Sequence, residues 1–467
     1  MRRAALALLF SMTAVRAEAQ GNPSKVLLDD FEKPLKDWTF TDGAEFPGAR
    51  GSLAADAGQA HAGKNSLLGK DAAPRKTLWI DDVEAVLGPS AEGRPTILPA
   101  VLSMTSCRPG FGPRITYRWD AEPVGSDCSV YVHVVNEKGH TAFQADHSPS
   151  VATSAWKGRV EYTKTLLVPI DVPEGEYRIM AGLYDSKGRR PLKAGTGATD
   201  ASAGGKQDRF QIGVLKVDSK APVPKLPAPT LKLDGFALTF NEEFDDLSVS
   251  AVGPGTRWIA HTPYFGDFGD ARFADPTPGF PFTVDKGLLR IEARKTDAGW
   301  RAGLLSSADP KGNGFSQKFG YFEMKAKFPK GPGVWPAFWL MGTNGIKDKS
   351  ITNPEIDVVE YYGALPNALM MTLHLWGPGK KHSAEADCAP VQGMTDDFHT
   401  YGAMVDEQHI VWYFDGVELW RQKTPEEAKV PLYLMVNLAL GGGWPIDKTE
   451  SPSFMHVDHV RAYARKP

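Results

Sequence analysis

At 467 residues the chain has the length of about three domains. Its 53 basic and 56 acidic side chains leave a net charge of -3, which gives no electrostatic footprint for nucleic acid. An apolar content of 42% is that of a soluble globular protein and excludes a chain built of membrane spans.

Met1-Arg-Arg, an apolar run from Ala4 to Val15 and Ala17-Glu-Ala19 before Gln20 read as a signal peptide over residues 1–19. The run is too short to anchor in a bilayer, and no cysteine follows it to carry a lipid. A periplasmic or secreted protein without a membrane partner is expected. Residues 25–90 form a short β module. Its opening Leu28-Asp-Asp-Phe-Glu32 and closing Leu78-Trp-Ile-Asp-Asp-Val-Glu84 resemble the outer strands of jelly-roll carbohydrate-binding modules, with too little between them for a complete one. In residues 95–217, Ile115-Thr-Tyr-Arg-Trp119, Ser129-Val-Tyr-Val-His-Val-Val135 and Glu176-Tyr-Arg-Ile-Met-Ala-Gly-Leu-Tyr184 alternate apolar with polar. Turn signals separate them, which predicts an immunoglobulin-like sandwich. Residues 218–230 are a proline-rich, semi-rigid linker.

Three cysteines fit an exported chain. Cys107 and Cys128 are close enough to close one loop across neighbouring strands, and a disulfide between them stays open. Cys388 is left over, in the loop after His374-Leu-Trp376, and is expected to be free.

Strand signals dominate residues 231–467. Asp415-Gly416, between Val411-Trp-Tyr-Phe414 and Val417-Glu-Leu-Trp420, predicts a tight hairpin. The expected class is therefore all-β, a β-sandwich jelly roll preceded by two smaller β domains.

Within it lies Asn353-Pro-Glu-Ile-Asp-Val-Val-Glu-Tyr-Tyr-Gly363. The β-branched residues argue for a strand and the acids against it. Residues two apart share a face, so Glu355 and Asp357 are neighbours. Glu360 joins them if Val358-Val359 forms a bulge. Close carboxylates cannot all ionise comfortably, so one keeps its proton to higher pH. One charged and one protonated carboxyl, roughly 5 Å apart, is what retaining glycoside hydrolysis requires. The same stretch also reads as a charged edge strand or a metal site.

The flanks bear on that choice. Phe319-Gly-Tyr-Phe-Glu-Met-Lys-Ala-Lys-Phe-Pro329, Gly333-Val-Trp-Pro-Ala-Phe-Trp-Leu340, Phe398-His-Thr-Tyr-Gly402, Trp412-Tyr-Phe-Asp-Gly416 and Met455-His-Val-Asp-His-Val-Arg-Ala-Tyr463 stand around the acids in this order. Together they resemble glycoside hydrolase family 16, from Leu231 to the C-terminus. The resemblance implies a retaining endo-β-glycanase with Glu355 as nucleophile, Glu360 as acid/base and Asp357 orienting the nucleophile. It also implies a sugar cleft, to which Trp335, Trp339, Trp376 and Trp444 are the candidate platforms, with His374 near the acid/base and Asn437 on a cleft-facing strand. Glu323 is an inward acid by alternation and a candidate subsite contact. The family's usual tryptophan after Tyr401-Gly402 is Val405 here.

No cofactor is expected in the chemistry. Family members often hold a structural calcium away from the cleft, and Glu243 and Asp458 match positions near that site, although a hard cation needs more oxygen ligands than these two. The expected partner is a polysaccharide substrate, and the protein itself is expected to be a monomer. A β-1,3- or β-1,3-1,4-linked glucan is favoured, with bacterial exopolysaccharides also open. Transglycosylation would use the same residues, and a non-catalytic polysaccharide-binding protein would keep the fold.

Overall fold

Alternation between core and solvent marks several strands of residues 94–217. In Arg114–Ala121 the side chains of Ile115, Tyr117, Trp119 and Ala121 are buried, while Arg114, Thr116, Arg118 and Asp120 face outward. Val130, Val132 and Val134 do the same in Ser129–Val135. Two antiparallel-rich sheets bury these rows against each other, around Trp119 and Trp156 at 5.1 Å between ring centroids. The computed structural model describes residues 94–466 apart from 122 and 123, and five short strands before them. The signal peptide expected over residues 1–19 lies outside the described residues, as does most of the 25–90 module. Of that module, Lys25–Asp29 pairs with Val83–Val86, and Gly51–Asp56, Ser66–Asp71 and Thr77–Ile80 form a separate sheet. Among the described residues no helix is long and apolar enough to cross a membrane.

The cysteines differ from expectation. The strand of Cys107 pairs with Phe210–Val217, whereas Cys128 leads into Ser129–Val135, two strands away in the same sheet. Both thiols are free and buried. Cys388 is free as well, but it lies on a strand and not in a loop. Burial pushes the Cys107 thiol up to about 11 and Cys388 up to about 12, which keeps both unreactive.

Residues 236–465 fold as two stacked sheets, a β-sandwich with a single large core. The sheet that carries the acids contains β1 (Leu304–Ser306), β2 (Val334–Gly342), β3 (Asn353–Tyr361), β4 (Ala368–Trp376), β5 (His382–Pro390) and β6 (Leu432–Leu440). They lie side by side as β1-β6-β2-β3-β4-β5. The opposite sheet is organised on the long strand Ser453–Arg465, which pairs with Phe236–Glu242, Leu288–Thr296 and Gly320–Lys327. Asp415 and Gly416 form the expected hairpin, at φ of 47° and 76°, the left-handed pair that a two-residue turn requires. Glu323 corrects the alternation. Phe322, Met324 and Ala326 enter the core, so Glu323 lies on the opposite face of its sheet, still buried, where Tyr463 donates to it at 3.1 Å.

The outer strand of the acid-bearing sheet is not left open. The amino-terminal sandwich meets β5 along its strand Gly158–Thr165. Buried Asp387 accepts from the Thr165 amide at 3.1 Å and from Arg114 at 3.3 Å, and Lys164 donates to the Ala386 carbonyl at 2.6 Å. Contacts of this kind shield that part of the edge strand from pairing with another chain.

Candidate active site

The acids of β3 share a face because the strand is bulged. Against β2, Trp339 pairs with Asp357 and Phe338 with Val359, so Val358 has no partner. The pairing with β4 slips over the same residues, between Asp357 and Glu360. Ile356, Val358, Val359 and Tyr361 then lie in the core while the three carboxyls lie on the other side. A bulge disturbs the ladder, and here the indole of Trp412 crosses from the opposite sheet to donate to the Asp357 carbonyl at 2.8 Å. Trp412→Phe is expected to lower stability by about 1–3 kcal/mol through the lost buried bond and the smaller ring. Urea unfolding measures it, and an unchanged midpoint would show that the indole does not hold the bulge.

Each carboxyl has its own neighbours. Glu355 Oε2 accepts from Trp376 Nε1 at 2.9 Å. Glu360 Oε1 accepts from Trp335 Nε1 at 3.0 Å and from the Tyr362 hydroxyl at 2.9 Å. Asp357 is 4% exposed, and its Oδ2 has no aligned donor among the described residues. His374 Nε2 stands 3.2 Å from that oxygen, close in charge but off the hydrogen-bond line. An oxygen of Glu355, one of Asp357 and a ring nitrogen of His374 lie within 4.8 Å of one another.

The electrostatic result is a shared shortage of charge. Burial, then the neighbouring Asp357, push Glu355 up to about 8, against the pull of His374 and Trp376. Burial and the charge of Glu360 hold Asp357 well above the usual carboxylate range. Burial raises Glu360 too, opposed by Tyr362 and Trp335. Glu355 therefore keeps its proton into the neutral range, and Asp357 and Glu360 hold theirs more tightly than free carboxyls do.

Three of the candidate contacts border this row, two lie beneath it, and Trp444 stands on the loop that follows β6. Trp335 is half-buried, stacks on Tyr362 at 5.7 Å and binds Glu360. Trp376 is 42% exposed and Trp444 39%, so both offer ring faces to a ligand. His374 is partly exposed beside Asp357. Trp339, in contrast, is buried, and Asn437 is wholly buried, where it accepts from Trp339 Nε1 at 2.8 Å and donates toward the Trp335 carbonyl at 3.4 Å. This pair supports the floor and does not present itself to a sugar, because β6 lies at the middle of its sheet. The Gly441–Gly443 loop packs on the Glu360 end. A Cβ on Gly442 would meet Tyr362 at 2.6 Å and Trp335 at 2.8 Å.

Three residues escaped the sequence reading. Tyr362 stands two positions past Glu360, and alternation would have placed it beside that acid. Tyr264 and Phe268 come from the distant loop Thr262-Pro-Tyr-Phe-Gly-Asp-Phe-Gly269, which resembles bacterial glucanases but has no spacing that ties it to the acids. Burial, then the charges of Glu355 and Asp357, raise the Tyr264 phenol, and Phe268 packs edge-on to Trp335 and Trp339.

Residues 282–461, which hold all three acids, match the family model described as Glycosyl hydrolases family 16. This stretch is a family 16 glycosyl hydrolase domain. Endo-1,3-1,4-beta-glycanase EglC of Rhizobium meliloti is 38% identical over 263 residues, 50% of this chain and 54% of that protein. Endo-1,3-1,4-beta-glycanase ExsH of the same organism is 37% identical over 255 residues, 50% of this chain and 53% of its own. The chain thus spans about half the length of the curated relatives it matches. The laminarinase catalytic domain from Thermotoga maritima aligns with a TM-score of 0.41 at 26% identity, over 50% of this chain and 99% of that one.

Glu243 and Asp458, expected near a structural calcium, both carry basic partners. Glu243 is bound by Arg461 at 2.7 Å, and Asp458 by Lys325 at 3.2 Å and His459 at 2.7 Å. Basic partners thus take Glu243 Oε1 and both Asp458 oxygens, and compete with a hard cation for them.

Proposed function

We propose that the protein is an exported endo-β-glycanase that cleaves β-1,3- or β-1,3-1,4-linked glucan with retention of configuration. The observation that carries this reading is the bulge in β3, which sets Glu355, Asp357 and Glu360 on one face, with different donors at the two ends. Glu355 is the nucleophile. The Trp376 indole fixes one of its oxygens and, with His374, pulls it toward the charged form against the burial that raises it. Asp357, the most buried of the three, keeps a proton, so that it stops repelling Glu355 and becomes a hydrogen-bond donor in the row. Glu360 is the acid/base. Trp335 and Tyr362 both bond Oε1, which leaves Oε2 to hold the proton given to the leaving oxygen. Water then attacks the glycosyl-enzyme as Glu360 takes the proton back. Trp376 and Trp444 are the exposed platforms for sugar rings on either side.

The substrate follows from the two Rhizobium relatives, both named for 1,3-1,4-β-glycan cleavage. Export rests on the signal-like residues 1–19. Reducing-end release from laminarin, lichenan, agarose, carrageenan and a succinoglycan-type polymer, beside Glu355→Gln, tests the reading. Release from laminarin or lichenan that vanishes in the variant is expected. Polymer binding by both proteins without release from any polymer would replace hydrolysis with a binding role.

A further inference from the structure

β5 begins at His382, an exposed residue at the turn after β4, and nothing in the acid motif points to it. The turn closes through the Gly377 amide on the Lys381 carbonyl at 2.7 Å, which brings His382 directly opposite Trp376 in the ladder, with His374 two pairs further in, on the same face. Directly opposed and diagonal side chains on one sheet face are within reach of each other. The His382 ring stacks on Trp376, with centroids 4.0 Å apart and planes 18° from parallel, and on His374 at 5.0 Å and 24°. Its Nε2 is 2.8 Å from His374 Nδ1.

Those two neighbours are the side chains that meet the acids. Trp376 donates to Glu355, and His374 faces Asp357. Trp376 is 42% exposed at the end of its strand, and among the described residues its aromatic stacking partners are these two histidines. The imidazole contact adds a chemical constraint. Across 2.8 Å one nitrogen must donate and the other accept. If His374 Nδ1 accepts, the proton of the neutral ring sits on Nε2 and faces Asp357. If Nδ1 donates, Nε2 is a bare acceptor. The bond made at one nitrogen thus decides what the other offers.

We propose that His382 is a positioning residue of this active site, which aims the Trp376 indole at Glu355 by stacking and fixes the tautomer of His374 before Asp357 by the nitrogen contact. The proposal rests on the hydrolase reading and adds to it a residue that does not touch the sugar. It also links the site to the amino-terminal sandwich, because the strand that carries His382 is the one pinned at Asp387.

Two substitutions separate the two contacts. His382→Phe keeps a ring for Trp376 and removes the nitrogen. His382→Gln keeps a polar partner for His374 and removes the ring. On the glucan that the wild type cleaves, the phenylalanine variant is expected to lose about 10-fold or more in kcat with KM little changed, as loss of an orienting partner does. The glutamine variant is expected to recover much of kcat and to raise KM, since Trp376 loses its support. The nitrogen-15 spectrum of the His374 ring reads the same contact without turnover. One tautomer is expected in the wild type and the glutamine variant, and a mixture in the phenylalanine variant. Wild-type kcat and an unchanged His374 spectrum in His382→Phe would overturn the proposal. A wild type that cleaves no glucan would end the hydrolase reading, while the spectrum would still decide the positioning role. Should the phenylalanine variant not fold, a glutamine variant with unchanged KM and kcat would count against the proposal equally.

Discussion

Glu360→Ala is expected to lose about 100- to 10,000-fold of its activity on a β-glucan, the range of a general acid, and to lose far less on an aryl glycoside whose leaving group needs no proton. Added azide is then expected to restore turnover and to yield a β-glycosyl azide. The reason is the division of labour along β3. Glu355 still opens the glycosidic bond from below and holds the sugar as an ester. Azide needs no base, so it displaces the ester from above, and two inversions give net retention. Glu355→Ala is expected to give the other anomer. Azide takes the place of the missing carboxylate and attacks once, while Glu360 protonates the departing oxygen, so the product is the α-azide. Nuclear magnetic resonance of the two products reads the assignment directly. The same anomer from both variants, or the two exchanged, would refute the roles given to Glu355 and Glu360.

What was legible in the chain was the part written in local spacing. Glu355, Asp357 and Glu360 among β-branched neighbours called for a bulged strand, and Val358 is unpaired against β2 as that spacing required. Asp415-Gly416 specified its own turn. The errors concern burial and distant partners. Trp339 and Trp335 look alike in sequence, yet one is buried on Asn437 and the other reaches Glu360. That difference is made by β6 and the Phe268 loop, which are remote in the chain. Glu323 was read with the wrong phase because a strand with buried residues at every position, Gly320 to Met324, carries no alternation to count. Glu243 and Asp458 resemble ligands until Arg461 and Lys325 arrive from paired strands. Cys107 and Cys128 are near in sequence and two strands apart in space, because Gly175–Asp185 and Phe210–Val217 intervene.

The row of acids should also leave a mark on stability. Glu355 is pushed up to about 8 in the folded chain, whereas an unfolded glutamate titrates near its ordinary value of about 4.3. Between those two values the folded state binds more protons than the unfolded one. The stability slope with pH follows the unfolded minus the folded proton count, so this group makes stability fall as pH rises through that window. Below the window both states are protonated and the group contributes nothing. Glu355→Gln, which keeps an acceptor for Trp376 and removes the charge, is therefore expected to melt with the wild type at pH 4 and above it at pH 8. Each tenfold change in proton affinity corresponds to about 1.4 kcal/mol, and water entering the cleft screens much of the charge, which leaves a relief of about 1–3 kcal/mol at the upper end. Thermal melts of the two proteins across this range, compared at each pH, cancel every other titrating group. A difference of the same size at both ends would assign the effect to packing of the amide and remove the charge argument. A difference that grows with pH would mean that the nucleophile is held in its place at a cost in stability, and that the fold supplies that cost from the core beneath β3.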